Sequence, residues 1–303
     1  MKPSREKVQA FLESHLGQHY SGYRWFLLPL LLSSEEELTT ILALPASEAS
    51  AFRNALLNEF KQPYEIFPRA AMEALSQQPT FPRVPVHLAG NLDDMLGGGF
   101  EPGHIYQVFG QSLSGKTEFC YIAIKAFLDY YAGQEMKILA IDSEHSFRPE
   151  RLLQISEGNV DLNKISVATC YSSPHMIALL QNIEKMFDNG LACPLLVIDS
   201  ILPASFQLYQ EEPAKRQQLL VVIAEKLWTM ARNHNVSIIF TNHAAGKLAL
   251  PSSGNLLLEY CDYAIYLQKN EFDETLHEAR MIKTTCMPEK SARFRISSKG
   301  PAV

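Results

Sequence analysis

Three short stretches of this chain hold the residue types that phosphate chemistry needs. The first, Gly110-Gln111-Ser112-Leu113-Ser114-Gly115-Lys116-Thr117, fits the pattern G-x-x-x-x-G-K-[ST]. Glycines at 110 and 115 let the backbone turn tightly and aim N–H groups at an anion, and the helix that opens around Glu118 adds its positive end. Lys116 is placed to reach the β- and γ-phosphates of a nucleoside triphosphate, and the Thr117 hydroxyl to sit on Mg2+. The second stretch is the apolar run from Cys193 to Ser200. It supplies Asp199, a strand-end carboxylate suited to holding magnesium through water. In the third, Leu139 to His145, Glu144 follows an apolar strand, where a carboxylate aimed at the γ-phosphate polarises an attacking water. A further apolar strand ends in Asn242 and His243, a pair placed to sense the γ-phosphate and pass its presence to the next loop.

These residues need a scaffold that brings several strand ends to one place. Short apolar runs at 105–109, 137–141, 165–169, 195–199, 237–241, 263–267 and 279–283, with a last one at 293–296, read as strands. The first five are separated mostly by helical stretches, which predicts right-handed β-α-β units and a largely parallel sheet. The final pair is spaced to form an antiparallel edge. The fold class expected is therefore α/β, a P-loop ATPase core spanning residues 87–303. Ahead of it, residues 1–60 read as a small all-helical domain. Ser34 with Glu37 forms a capping box, and Phe52, Ala55, Leu56 and Phe60 share one helical face. Between the two, residues 61–86 carry prolines at 63, 68, 79, 82 and 85 and read as a semi-extended linker.

Composition narrows the partners. The chain has 303 residues, 47% hydrophobic and 20% charged, with net charge −6, so it offers no global basic footprint for nucleic acid. The five cysteines are far apart, without the spacing of a zinc site or a disulfide framework, which suits a reducing compartment. The apolar run from Trp25 to Leu32 is too short for a bilayer and is broken by Pro29, so no membrane partner is expected.

From His87 onward the motifs together resemble the RecA/RadA-type recombinases, in particular the eukaryotic recombinase and its paralogues. The likeness is carried by Gly90-Asn-Leu-Asp93, Leu96-Gly-Gly-Gly99, the 110–117 loop, Phe147-Arg-Pro-Glu-Arg151, Leu196-Val-Ile-Asp-Ser200 and Thr241-Asn-His243. It implies a RecA-like core that takes ATP with Mg2+, Glu144 as the catalytic glutamate and Arg151 packed on the adenine base. It also implies that Phe67 and Ala70 form a linker anchor for a neighbouring protomer. His243 stands where the recombinase has glutamine and looks closest to the D-type paralogue of the Rad-fifty-one group, although Glu144 departs from that paralogue. The two loops that line DNA in the family would here offer only Lys215, Arg216 and Lys247, and each phosphate contact needs a cation. The resemblance thus implies a nuclear recombinase paralogue with weak ATPase activity, which reaches single-stranded DNA through a hetero-oligomer with other paralogues and the main recombinase. A nucleotide-stapled adaptor and an autonomous strand-exchange recombinase are the alternatives.

Overall fold

Alternation along the apolar runs decides the architecture. In the strand carrying Ile138, Leu139, Ala140 and Ile141, successive side chains point to opposite faces, and both faces are buried. A strand hidden on both sides belongs inside a sheet covered by helices. A computed structural model of the chain describes residues 82–86, 91–202, 213–245, 250–253, 255–284, 290–297 and 300–302, with isolated positions at 39, 45, 47 and 50. The chain divides into two units, Met1–Pro79 and Thr80–Val303, with the boundary inside the proline-punctuated segment. The helical reading of residues 1–60 and most of the linker lie outside the described residues.

The second unit holds a nine-stranded sheet. Its strands are β1 (Ile105–Gly110), β2 (Ile138–Asp142), β3 (Ile165–Thr169), β4 (Leu195–Asp199), β5 (Ser237–His243), β6 (Tyr263–Lys269), β7 (Leu276–Lys283), β8 (Ser291–Ser297) and β9 (Gly300–Ala302). They lie in the order β3-β2-β4-β5-β1-β6-β7-β8-β9. From β3 through β6 every neighbouring pair is parallel, and from β6 to β9 every pair is antiparallel. The core is thus α/β with a mostly parallel sheet and an antiparallel edge. Strand β9 is the one described strand that the apolar pattern does not announce: it is three residues long and contains Pro301.

Six described helices cover the sheet: α1 (Leu92–Met95), α2 (Lys116–Tyr130), α3 (Pro149–Ile155), α4 (Ser173–Asp188), α5 (Pro213–His234) and α6 (Leu256–Tyr260). On one face, Phe119, Ile122, Ala123 and Phe127 of α2 pack with Val108, Ala140, Val197 and Ile265 of the strands. Burying a phenylalanine contributes about 1.5–3 kcal/mol, so these side chains hold α2 against the sheet. On the other face, Met176, Leu180 and Ile183 of α4 and Leu220, Ile223 and Leu227 of α5 cover Leu139, Ile141, Leu196 and Ile198. Ser172 caps α4, its side chain accepting from the His175 amide at 3.3 Å.

At the end of the sheet opposite the functional residues, Arg83 ties the entering chain down. Its guanidinium donates to Glu101 Oε2 at 2.6 Å and to the Leu96 carbonyl at 2.9 Å, while the Tyr263 hydroxyl donates to the same Glu101 oxygen at 2.7 Å. Cys120, Cys170, Cys193 and Cys261 are buried free thiols, and Cys286 lies outside the described residues. Among the described residues, no helix is long and apolar enough to cross a membrane.

Candidate active site

Parallel strands deliver their carboxyl ends to a common edge, and the candidate residues gather there. The 110–117 loop leaves the end of β1 and enters α2. Gly110 is required by close approach: a Cβ built there would lie 2.3 Å from the Leu267 carbonyl oxygen on β6 and 2.4 Å from Ser114 Oγ. Gly115, directly before α2, has φ of +95°, a conformation costly for any residue with a Cβ. Leu113 also takes positive φ (+63°) and projects into solvent. The Ser114 hydroxyl is buried without a hydrogen-bond partner. Lys116 folds back on its own loop, its Nζ donating to the Gln111 carbonyl at 2.8 Å and the Gly110 carbonyl at 3.2 Å. Burial pulls its ammonium below the usual lysine range, with Asp199 and Glu144 opposing that shift.

Asp199, at the end of β4, is surrounded by hydroxyl donors. Thr117 Oγ1 donates to one carboxylate oxygen at 2.6 Å, Thr241 Oγ1 to the other at 2.5 Å, and Ser146 Oγ lies 3.4 Å from the first. A hydroxyl and a carboxylate are the hard oxygen donors that Mg2+ prefers, completed by waters and phosphate oxygens. Among the described residues there is no cluster of three histidine, cysteine or acidic side chains for a metal. The donor set thus suits a cation that arrives with phosphates.

Glu144 is positioned by serines. Strands β2 and β4 are in register at Asp142 and Asp199, so the turns after them run side by side. The Ser143 hydroxyl donates to the Ser200 carbonyl at 2.7 Å and accepts from the Ser200 amide at 2.8 Å. The Ser200 hydroxyl then donates to Glu144 Oε1 at 2.7 Å. Asp142 shapes the turn from below, accepting from the Ser146 and Phe147 amides at 3.1 Å each. His243 Nε2 sits 3.5 Å from the same Glu144 oxygen. Its contact is the largest influence holding the Glu144 carboxyl below the usual glutamate range; burial opposes it, and Ser200 and Lys116 add to it. A carboxylate kept ionised and adjacent to the loop lysine has the chemistry of a general base.

Asn242 does something different from its neighbour. It is fully buried, donates from Nδ2 to Ser253 Oγ at 2.8 Å, and accepts at Oδ1 from Ser252 Oγ at 2.9 Å and from the His243 amide at 2.8 Å. It therefore holds the segment after β5 and does not face the phosphate loop. Arg151, on α3, is gripped by Glu118 of α2 through two parallel bonds, Nε to Oε1 at 2.8 Å and Nη2 to Oε2 at 2.9 Å. That grip sets the plane of the guanidinium.

The structure brings Lys116, Thr117, Glu144, Asp199 and His243 together. It places Arg151 and Glu118 beside the loop, across the start of α2. Lys215 and Arg216, read in the sequence as the end of a loop, fall instead on the first turn of α5, because Pro213 starts the helix. Their side chains, together with Lys247, Phe67 and Ala70, lie outside the described residues. Sequence reading misses Thr241, Ser143, Ser200 and His277. The first three stand inside quoted motifs, and a hydroxyl next to a strand-end acid is the signal that could have found them. His277 carries no motif. Its Nδ1 lies 3.0 Å from the Ser114 carbonyl, beneath the loop.

Comparison with known proteins fits this geometry. Residues 87–302 match the family model for Rad51. The DNA repair protein RAD51 homolog B of Zea mays is 31% identical over 234 residues, covering 69% of this chain and 66% of that protein. The DNA repair protein RAD51 homolog 1 of Arabidopsis thaliana is 30% identical over 234 residues, with the same coverage of 69% and 66%. The chain thus spans about two thirds of the length of the curated relatives it matches.

Proposed function

Because the chain belongs to the Rad51 family, we propose that it binds Mg-ATP at the 110–117 loop, hydrolyses it slowly, and works in a nuclear hetero-oligomer of recombinase paralogues. That assembly helps load the main recombinase on single-stranded DNA during homologous recombination and double-strand break repair. The curated relatives are named as DNA repair proteins. The observation that carries the reading is the joining of two acids to the phosphate loop, Asp199 through Thr117 and Glu144 through its proximity to Lys116.

Each side chain then has a defined task. The loop amides and Lys116 neutralise the triphosphate, and Lys116 leaves the Gly110 and Gln111 carbonyls to do so. Thr117 and Asp199 hold Mg2+, which supplies charge neutralisation at the phosphate oxygens. Glu144, kept as a carboxylate by His243 and Ser200, orients a water and accepts its proton. His243 senses the γ-phosphate by exchanging its contact with Glu144, and the backbone hands the change to Asn242 and the segment it holds. Arg151 presents a guanidinium plane to the adenine, held flat by Glu118.

Partner contacts obey the same logic. β3 forms one edge of the sheet, with Val167 exposed on it, and an open edge accepts a strand from another chain. This chain's own Phe67 and Ala70 are the proposed anchor that inserts into a neighbouring protomer, with such an edge of the neighbour as the seat. DNA contact is routed through the assembly, since this chain's own candidates are Lys215, Arg216 and Lys247 alone.

A steady-state ATPase assay on the wild type, Lys116→Ala and Glu144→Gln tests the reading. Turnover in the wild type and background in both variants supports it. Background in all three, with nucleotide still bound, makes the chain an adaptor. Affinity purification with mass spectrometry that recovers no other recombinase paralogue would remove the hetero-oligomer.

A further inference from the structure

One buried imidazole has no part in the proposed chemistry. His277, on the antiparallel strand β7, is 4% exposed and its ring lies flat on that of Phe294, at a centroid separation of 5.7 Å. On its other side is the phosphate loop. Nδ1 is 3.0 Å from the Ser114 carbonyl oxygen, and a Cβ built on Gly115 would come within 3.2 Å of the same nitrogen. A carbonyl oxygen only accepts, so Nδ1 carries the hydrogen and donates it.

The consequence lies in the next peptide. In a trans peptide the C=O and the adjoining N–H point in opposite directions. With the Ser114 carbonyl drawn toward β7, the Gly115 N–H is turned to the opposite side of the loop, the side where an anion would lie. The local backbone does not enforce this by itself. Gly115, at φ +95°, is free to take either sign of φ, and rotation of the Ser114–Gly115 peptide would aim a carbonyl at the phosphates instead. We infer that His277 is a positioning residue for the phosphate loop: its Nδ1–H pins the Ser114–Gly115 peptide with the Gly115 N–H facing the triphosphate. Burial favours the neutral ring, with Lys269 acting in the same direction and the Ser114 and Glu274 carbonyls and Glu118 against it. The inference rests on the nucleotide reading of the site. It assigns the antiparallel edge a role in binding that its distance in sequence from residues 110–117 conceals.

The test is calorimetric titration of the full chain with Mg-ATP, Mg-ADP and adenosine. His277→Asn keeps an N–H at nearly the same place, His277→Asp has the same size but offers acceptors, and His277→Phe keeps a ring without a donor. The expected result is a loss of about tenfold in Mg-ATP and Mg-ADP affinity for the aspartate and phenylalanine variants, with the asparagine variant close to wild type and adenosine unchanged throughout. If the phenylalanine variant fails to fold by circular dichroism, the equal-sized asparagine and aspartate variants decide. Wild-type affinity in the aspartate variant, or equal losses in all variants that extend to adenosine, would overturn the inference. A wild-type chain that takes up no Mg-ATP overturns instead the nucleotide reading beneath it.

Discussion

Replacing Gly110 by alanine should damage the loop by contact alone, and the structure sets the size of the damage. The new methyl carbon would lie 2.3 Å from the Leu267 carbonyl oxygen and 2.4 Å from Ser114 Oγ. The serine can swing away; the carbonyl cannot, because Leu267 is the β6 residue in register with Gly110. Relieving the clash means moving β1 away from β6 at the root of the phosphate loop. Overpacking of this kind costs about 1–3 kcal/mol, or roughly 2–12 °C in Tm for a domain of this size. Because the strain is stored in the loop that must cradle phosphates, Mg-ATP affinity should fall by about tenfold or more. Gly133 is the control. It has φ of +79° with nothing within 4 Å of a built Cβ, so Gly133→Ala adds left-handed strain of about 1 kcal/mol far from the loop. Thermal melts with calorimetry on both variants check the reasoning. Wild-type Mg-ATP affinity in Gly110→Ala, or an equal loss in Gly133→Ala, would refute it.

Three further expectations rest on individual side-chain contacts. Because the His243 contact is the largest influence holding the Glu144 carboxyl low, Glu144 stays ionised at neutral pH, and activity should fall only as pH drops through that depressed value. His243→Ala should move the acid limb of a pH–rate profile upward, and an unmoved limb would detach His243 from Glu144. Asp262 accepts from the Ile105 amide at 2.8 Å and from Arg232 at 2.5 Å, so Asp262→Ala orphans a buried amide. It should cost about 1–3 kcal/mol in a denaturant melt while leaving nucleotide affinity unchanged. Arg151→Ala should weaken Mg-ATP binding about 2- to 30-fold through loss of the face offered to adenine. Glu118→Ala should weaken it less, since it frees the guanidinium without removing it; fluorescent-nucleotide titration separates the two.

What is legible in the sequence is whatever a local pattern encodes. Apolar runs give eight of the nine described strands: central strands such as β2 and β4 are apolar because both faces are buried, whereas β3 and β7, only partly buried, carry the weaker signal. The 110–117 loop and both acids are legible because glycine, lysine, hydroxyl and carboxylate each answer a requirement of phosphate chemistry at fixed spacing. The helical start at Pro213 escapes a reading that weighs Lys215 and Arg216 for charge and not for the proline before them. The serines at 143 and 200, 57 residues apart, cannot be paired from the sequence. Only the register of β2 against β4 makes them partners.

The end of β5 shows why such pairing matters for mechanism. Thr241, Asn242 and His243 are consecutive, and side chains on a strand alternate between faces. Thr241 and His243 therefore share a side, where one donates to Asp199 and the other approaches Glu144. Asn242 points the other way and clasps Ser252 and Ser253. A shift that draws His243 toward a γ-phosphate must move the His243 amide, which is itself bonded to Asn242 Oδ1 at 2.8 Å. The metal arm, the base and the next loop are thus coupled through three adjacent residues. Asn242→Ala should accordingly leave Mg-ATP binding intact while uncoupling the loop, seen as nucleotide-independent protease sensitivity at residues 244–255. Nucleotide-dependent protection in that variant equal to wild type would show that the signal travels elsewhere.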